Sequence, residues 1–268
     1  MSEPSFDPRR VQQALVCMLF DPKYAAKVRG REPLAELGER ERELLRGVDP
    51  RSLGTDAMRR ARALHVILDE YPVSAAVLGV DAVDRFFASP AFRACVFERG
   101  SMALAFGDAW LRDRAKGVGV IETGLARARR ELEQPLAPGP RIRRAPGVIP
   151  LRVAKGTLDW YRRARDKLGP APLESLAKQR KPWTLAPPKR GSETLLIEPL
   201  ASEPGVGERG ELGVANASAA LVGLLEAAAS PREPAELATI AVEFGAEAHE
   251  ADELLDELRG DGLLVRVA

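Results

Sequence analysis

Histidine and cysteine are nearly missing from this 268-residue chain, at two residues each. Cys17 and Cys95 lie far apart, which excludes a disulfide framework and a zinc motif; both read as reduced thiols in helix cores. His65 and His249 have no second His, Cys or carboxylate at helical metal-ligand spacing. His65 sits one position from an apolar helical stripe and His249 among carboxylates, so both read as structural or exposed. A phosphate-binding loop is missing too. Gly117–Gly124 (GVGVIETG) has the glycines, but no strand precedes it and no Lys-Ser/Thr follows. Asp and Glu are common, yet no pair stands out for acid/base work. No apolar run approaches the ~20 residues that span a bilayer, and the opening MSEPSFDPRR has no apolar signal core. The expectation is a cytoplasmic protein without catalytic residues, metal ligands or cofactor of its own.

Charge is present in quantity but unevenly placed. The net +1 hides three regions. Residues 1–134 carry 22 basic and 20 acidic side chains, residues 135–190 carry 14 and 3, and residues 191–268 carry 4 and 16. A basic middle beside an acidic end suggests that the two touch or that each meets a partner of opposite sign.

Residues 1–134 read as helices throughout, because nothing alternates with period two over a useful length. Asp7-Pro8 and Asp21-Pro22 are cap-and-proline starts. Val11, Leu15, Met18 and Leu19 share one face of the first helix. From Thr55, a longer helix should turn Met58, Ala61, Leu64 and Leu68 inward. The stretch Phe86–Leu111 holds much of the aromatic content and should pack most densely. Residues 134–149, rich in Pro and Arg, read as a linker. Ile149–Ala154 is a candidate strand and Gly156–Leu168 a helix. Residues 169–191 are proline-broken and basic, with a lone Trp183 that should be pinned against a neighbouring domain. Trp160 and Tyr161 among Arg162, Arg163 and Arg165 invite a nucleic-acid reading, but a solvated helix face, or one lying against the acidic end, explains the same residues.

The last third is the clearest. Glu193–Leu200 and Glu211–Ala215 form a hairpin around the turn Glu203–Gly210, and Asn216 can cap the next helix. Ala217, Leu221, Leu224, Leu225 and Ala228 make one stripe. Leu237, Ile240, Ala241 and Phe244 make a second, and Ala251, Leu254, Leu255 and Leu258 a third. Gly260-Asp261-Gly262 turns into a last strand, Leu263–Val267. Two strands, three helices and a closing strand are the plan of a winged helix, with Ile149–Ala154 available as a further strand. Reading DNA needs Lys and Arg to displace counterions from phosphates, and a segment with net charge −12 repels a duplex. The charge counts against nucleic acid, and a peptide is the expected ligand.

These residues carry a resemblance. The phrases LLIEPL, GELGVANASAALVGLLEAA, PREPAELATIAVEF and ADELLDELRGDGLLVRV resemble the PqqD-like domain known as the RiPP recognition element. Asn216, Ala217, Ser218 and Ala219 stand at its first helix start, and Leu258 to Leu264 at its closing phrase. The resemblance implies binding of the leader segment of a ribosomally made precursor peptide, which adds as a strand at a sheet edge and packs on the last helix. Carried over to this chain, the edge is Glu211, Leu212, Val214 and Ala215, and the groove wall is Ala251, Leu254, Leu255 and Leu258. The acidic rim of Glu250, Asp252, Glu253, Asp256 and Glu257 would favour a basic or amphipathic leader.

The helical first part, with LFDPKYAAKV, Asp69–Gly79 and Phe86–Ala94, loosely resembles partner proteins of multinuclear non-heme iron oxidases that modify such peptides. The expected fold is mainly α with a small β component: a helical domain (1–134), a basic Pro-rich linker with a strand and a helix (135–190), which stands either alone or as part of the C-terminal domain, and a β–winged-helix domain (191–268). The expected role is a non-catalytic adaptor between a leader peptide and a peptide-modifying metalloenzyme. Three other readings stay open: a winged-helix transcriptional regulator, an enzyme with a site in the helical domain, and a structural assembly factor.

Overall fold

The computed structural model of the chain describes residues 6–54, 57–185, 189–200 and 211–268. It is mainly helical with a small antiparallel sheet component. In chain order the helices are α1 (Pro8–Phe20), α2 (Pro22–Arg29), α3 (Glu39–Arg46), α4 (Pro50–Gly54), α5 (Ala57–Glu70), α6 (Pro72–Leu78), α7 (Val80–Asp84), α8 (Pro90–Glu98), α9 (Met102–Ala105), α10 (Val118–Leu132), α11 (Thr157–Leu168), α12 (Pro172–Lys178), α13 (Ala219–Ala227), α14 (Pro234–Glu243) and α15 (Ala251–Gly260). The strands are β1 (Arg141–Arg144), β2 (Ile149–Ala154), β3 (Ser192–Pro199), β4 (Leu212–Asn216) and β5 (Leu264–Val267). A 3-10 turn covers Arg85–Ala88 and a π turn Phe106–Trp110. The expected turn Glu203–Gly210 and the helix start at Thr55 lie outside the described residues.

Contacts divide the chain into two compact units, and the division does not follow the boundaries at 134 and 190. One unit comprises Met1–Gly119 and Ala164–Leu185, the other Val120–Arg163 and Ala186–Ala268. The basic middle is thus shared out between two folded bodies.

In the first unit the helix starts follow from their caps. The carboxylates of Asp7 and Asp21 accept from the N–H groups of Arg9 and Lys23, and the Ser89 hydroxyl accepts from Phe92 N–H. The core is a ring cluster. Phe20 stacks on Phe87 at 5.1 Å, Phe86 meets Phe106 edge-on at 5.1 Å, and Tyr71 meets Phe106 at 5.0 Å. Helix α5 follows the expectation only in part, with Leu64 and Leu68 half-buried. Ile67 is its buried residue, whereas Met58 is 66% exposed and Ala61 faces solvent. On the same helix the Arg60 guanidinium grips Asp84 twice, at 2.8 and 2.6 Å, and the Phe20 carbonyl at 3.0 Å. The segment after α11 also belongs to this unit. It contains α12, which the proline-broken reading missed, and Trp183 packs within the unit. Trp183 N–H donates to the Ala76 carbonyl at 2.8 Å, and the Lys167 ammonium lies 4.4 Å from the indole centre.

The second unit is built on a three-stranded antiparallel sheet in the order β2-β3-β4, with Ile149 opposite Ile197 and Ile197 opposite Val214. Strand alternation sends Ile149, Leu151, Val153, Leu195 and Ile197 to one face. There Gly124 of α10 lies so close that a Cβ would sit 2.6 Å from Ile197 Cδ1 and 3.1 Å from Leu151 Cδ1. Pro150, Arg152, Thr194 and Leu196 take the opposite face, on the side of α13. That side is filled by Ile142, Val148, Leu196, Leu224, Leu225, Leu237, Leu255, Leu258 and Leu264. The cap of α13 is Ser218, whose hydroxyl accepts from Leu221 N–H; Asn216, the expected cap, ends β4 instead. Phe244, expected inside, is 40% exposed with its ring against Gly223.

The stretch 134–149, expected as a linker, carries β1. It pairs antiparallel with β5, Ile142 opposite Arg266, and its other side is bridged to Arg232. RIRR offers a single buried residue, Ile142, so it shows no apolar alternation; β5 supplies the partner that makes it a strand.

Candidate functional site

The expected edge residues lie on or next to the outer strand of the three-stranded sheet. Leu200 N–H donates to the Glu211 carbonyl at 2.7 Å and Ala217 N–H to the Thr194 carbonyl at 3.0 Å. In an antiparallel ladder these bonds recur at every second pair, so Gly213 and Ala215 turn their peptide groups towards β3. Leu212, Val214 and Asn216 then turn theirs off the sheet. Among the described residues, no backbone partner meets the N–H or C=O groups of these three. The side chains of Leu212, Val214 and Asn216 lie on the face shared with Leu195 and Ile197. Leu212, Val214 and Ala215 are half-buried, and Glu211 and Asn216 are exposed.

Among the described residues, one side chain hydrogen-bonds to an outward group of this edge. The Arg162 guanidinium of α11 donates through Nη2 to the Val214 carbonyl at 2.9 Å. Its helix is anchored beside the sheet by Glu193 of β3. One carboxylate oxygen of Glu193 accepts from Gly156 N–H at 2.9 Å and the other from Leu158 N–H at 2.8 Å. A carboxylate at a helix start satisfies orphan donors and meets the positive end of the helix dipole. Leu158 and Tyr161 are buried and seat α11, while Arg162 and Arg163 are exposed.

The other expected residues, on α15, are placed differently. Ala251, Leu255 and Leu258 are buried in the core with Leu196 and Leu264, and Leu254 is partly buried against the same cluster. Three of these four side chains already pack inside the unit. A cleft of about 570 Å³ does lie beside α15, lined by Asp256, Arg259, Gly260, Leu264, Val265 and Arg266. It opens along β5, and none of its lining residues belongs to β4.

Sequence reasoning missed Arg162 and Glu193 as parts of the site. A basic helix after a strand was visible; what aimed Arg162 at Val214 was the strand pairing.

His65 and His249 are exposed, and His249 lies 3.6 Å from Glu250. Both cysteines are free and buried. Among the described residues no group of three or more His, Cys, Asp or Glu is placed to hold a metal ion, and no helix is long and apolar enough to cross a membrane. No family model matches the chain, and no curated protein does.

Proposed function

We propose that this protein is a cytoplasmic adaptor that binds an extended peptide, the leader of a ribosomally made precursor, and presents it to a peptide-modifying metalloenzyme of the multinuclear iron oxidase kind. On this reading the second unit is a PqqD-like winged-helix recognition module and the helical unit holds the enzyme. The observation that carries it is the row of outward peptide groups at Leu212, Val214 and Asn216. An incoming strand would gain main-chain hydrogen bonds there without needing one particular sequence. Each is worth about 0.5–1.5 kcal/mol net, so a few give only modest affinity. Tethering peptide and enzyme to one chain would raise the effective concentration at the active site, which compensates for weak binding.

The placement of α15 changes the expected groove. With Ala251, Leu255 and Leu258 in the core, the visitor's side chains on one face would meet the α11 side of the sheet.

The test is fluorescence anisotropy of a labelled leader peptide, encoded beside this gene, titrated with the full chain. Residues 191–268 alone are unsuitable, because β2 and the start of α11 belong to the same unit. Val214→Pro deletes an edge N–H without removing a ladder bond to β3 and should weaken binding at least ~10-fold while the fold survives. Ala215→Pro, which does remove a ladder bond, should unfold the sheet. Absence of binding by the folded full chain, or equal binding by Val214→Pro, rejects the reading.

A further inference from the structure

We propose that Arg162 determines the specificity of the β4 edge, and that the peptide received there carries an acidic side chain facing α11. This rests on the peptide-binding reading above and adds the chemistry of the occupant.

Arg162 makes one hydrogen bond, to the Val214 carbonyl, and has no carboxylate partner among the described residues. Three arginines on the unit's strands differ. Arg141 pairs with Glu233, Arg144 with Glu131 and Arg152 with Glu226. A guanidinium carries five N–H donors in a planar fork suited to a carboxylate; here one is engaged, at the carbonyl a visiting strand must use.

A visitor pairing with β4 brings its own N–H to Val214. The guanidinium must then let go and stays poised beside the visitor's backbone, because Glu193, Leu158 and Tyr161 hold the helix in place. A visitor with Asp or Glu at that register replaces the lost bond with a charge-assisted pair. A neutral visitor leaves the fork to water, and a basic one is repelled. One such bond corresponds to about tenfold in affinity. The sign is opposite to that expected from the acidic rim of α15: the charged group bonded to this edge is a cation.

Arg162 also guards the empty edge. An unpaired strand invites a second copy of the same strand, and a guanidinium seated on its central carbonyl blocks that approach.

The experiment needs no known ligand. A displayed library of random peptides is selected against the full-length protein, Arg162→Met and Val214→Pro, with folding checked by circular dichroism. Met keeps the apolar stem and removes the charge. The expected result is enrichment of β-prone peptides with Asp or Glu at one fixed position by the wild type. Arg162→Met should enrich peptides of similar backbone preference without the acid, and an acidic peptide should bind it about tenfold more weakly than it binds the wild type. Peptides that depend on Val214 but show no acidic preference, or the same preference with Arg162→Met, overturn the assignment and leave the peptide-binding reading standing. No enrichment beyond Val214→Pro overturns both.

Discussion

Removing the carboxylate of Glu193 should loosen α11 and with it the cation at the β4 edge. The two bonds at the helix start are 2.9 and 2.8 Å long, and their oxygens sit where the helix dipole is positive. A lost N-cap costs about 0.5–2 kcal/mol, and the dipole contributes a further ~0.3–1 kcal/mol. Glu193 is half-buried, so water replaces the carboxylate only in part. Together these give about 2 kcal/mol for Glu193→Ala. Glu193→Gln keeps one acceptor oxygen but puts an N–H₂ against the other donor, and should cost about 1 kcal/mol or more. For a unit of this size, 2 kcal/mol lowers Tm by about 6 °C. Thermal unfolding of the full chain gives the total, and amide hydrogen exchange at Gly156 and Leu158 reports the local part. Exchange at these amides should accelerate in both variants, more strongly in Glu193→Ala. If Glu193→Ala melts within about 1 °C of the wild type with both amides still protected, the carboxylate does not hold the helix and the positioning of Arg162 has lost its basis.

Two further outcomes can be checked with less effort. Arg144 and Glu131 pair at 3.0 Å with side chains only 12% and 17% exposed, so Glu131→Ala strands a mostly buried cation and should cost about 3 kcal/mol in urea unfolding; Arg144→Met added to it should restore part of the loss. Burial pushes the Cys17 thiol up to about 12, with nearby Arg93 opposing the shift and Glu36 and Asp21 adding to it. The native protein should therefore resist alkylation of Cys17 at pH 8 until unfolded. Because the unfolded thiol ionises near 9.0 and the folded one near 12, the folded state holds the extra proton in that window. The contribution is fully present below pH 9 and lost as pH rises towards 12, so an alkaline melting series should show less decline for Cys17→Ala than for the wild type.

Periodicity made the helices of the last third legible, because Leu224, Leu225, Leu237, Leu255 and Leu258 recur at helical spacing and all of them are buried. The β3–β4 hairpin was legible for a similar reason, with short apolar runs on either side of a turn-forming stretch. Local pattern fails where a partner elsewhere in the chain decides the outcome. Strand β1 exists because β5 and Arg232 flank it. Helix α5 buries Ile67, and its Arg60 meets Asp84 of α7, a partner that the helix's own pattern does not name. Ser218 displaces Asn216 as a cap because β4 runs one residue further than expected and takes Asn216 into the ladder. The edge was readable as a strand, but which of its peptide groups face outward is a parity set by register, and register is not written in β4 alone.

Charge shows the same dependence on the folded unit. The value of −12 belongs to residues 191–268, whereas the unit that contains them also takes in residues 120–163 and 186–190. That unit carries sixteen basic and twenty acidic side chains, a net charge of −4. Net repulsion of a polynucleotide is correspondingly weaker than the segment alone implies. At five of its arginines a local factor counts against phosphate. Arg141, Arg144, Arg152, Arg232 and Arg259 each face a carboxylate of the same unit. A phosphate would have to compete with Glu233, Glu131, Glu226, Glu236 or Asp256 for each of them, and counterion release yields little where the counterion is a tethered side chain. Arg162 lies outside this set. Its fork has a carbonyl for a partner, and a carbonyl gives way to a carboxylate far more readily than another carboxylate does.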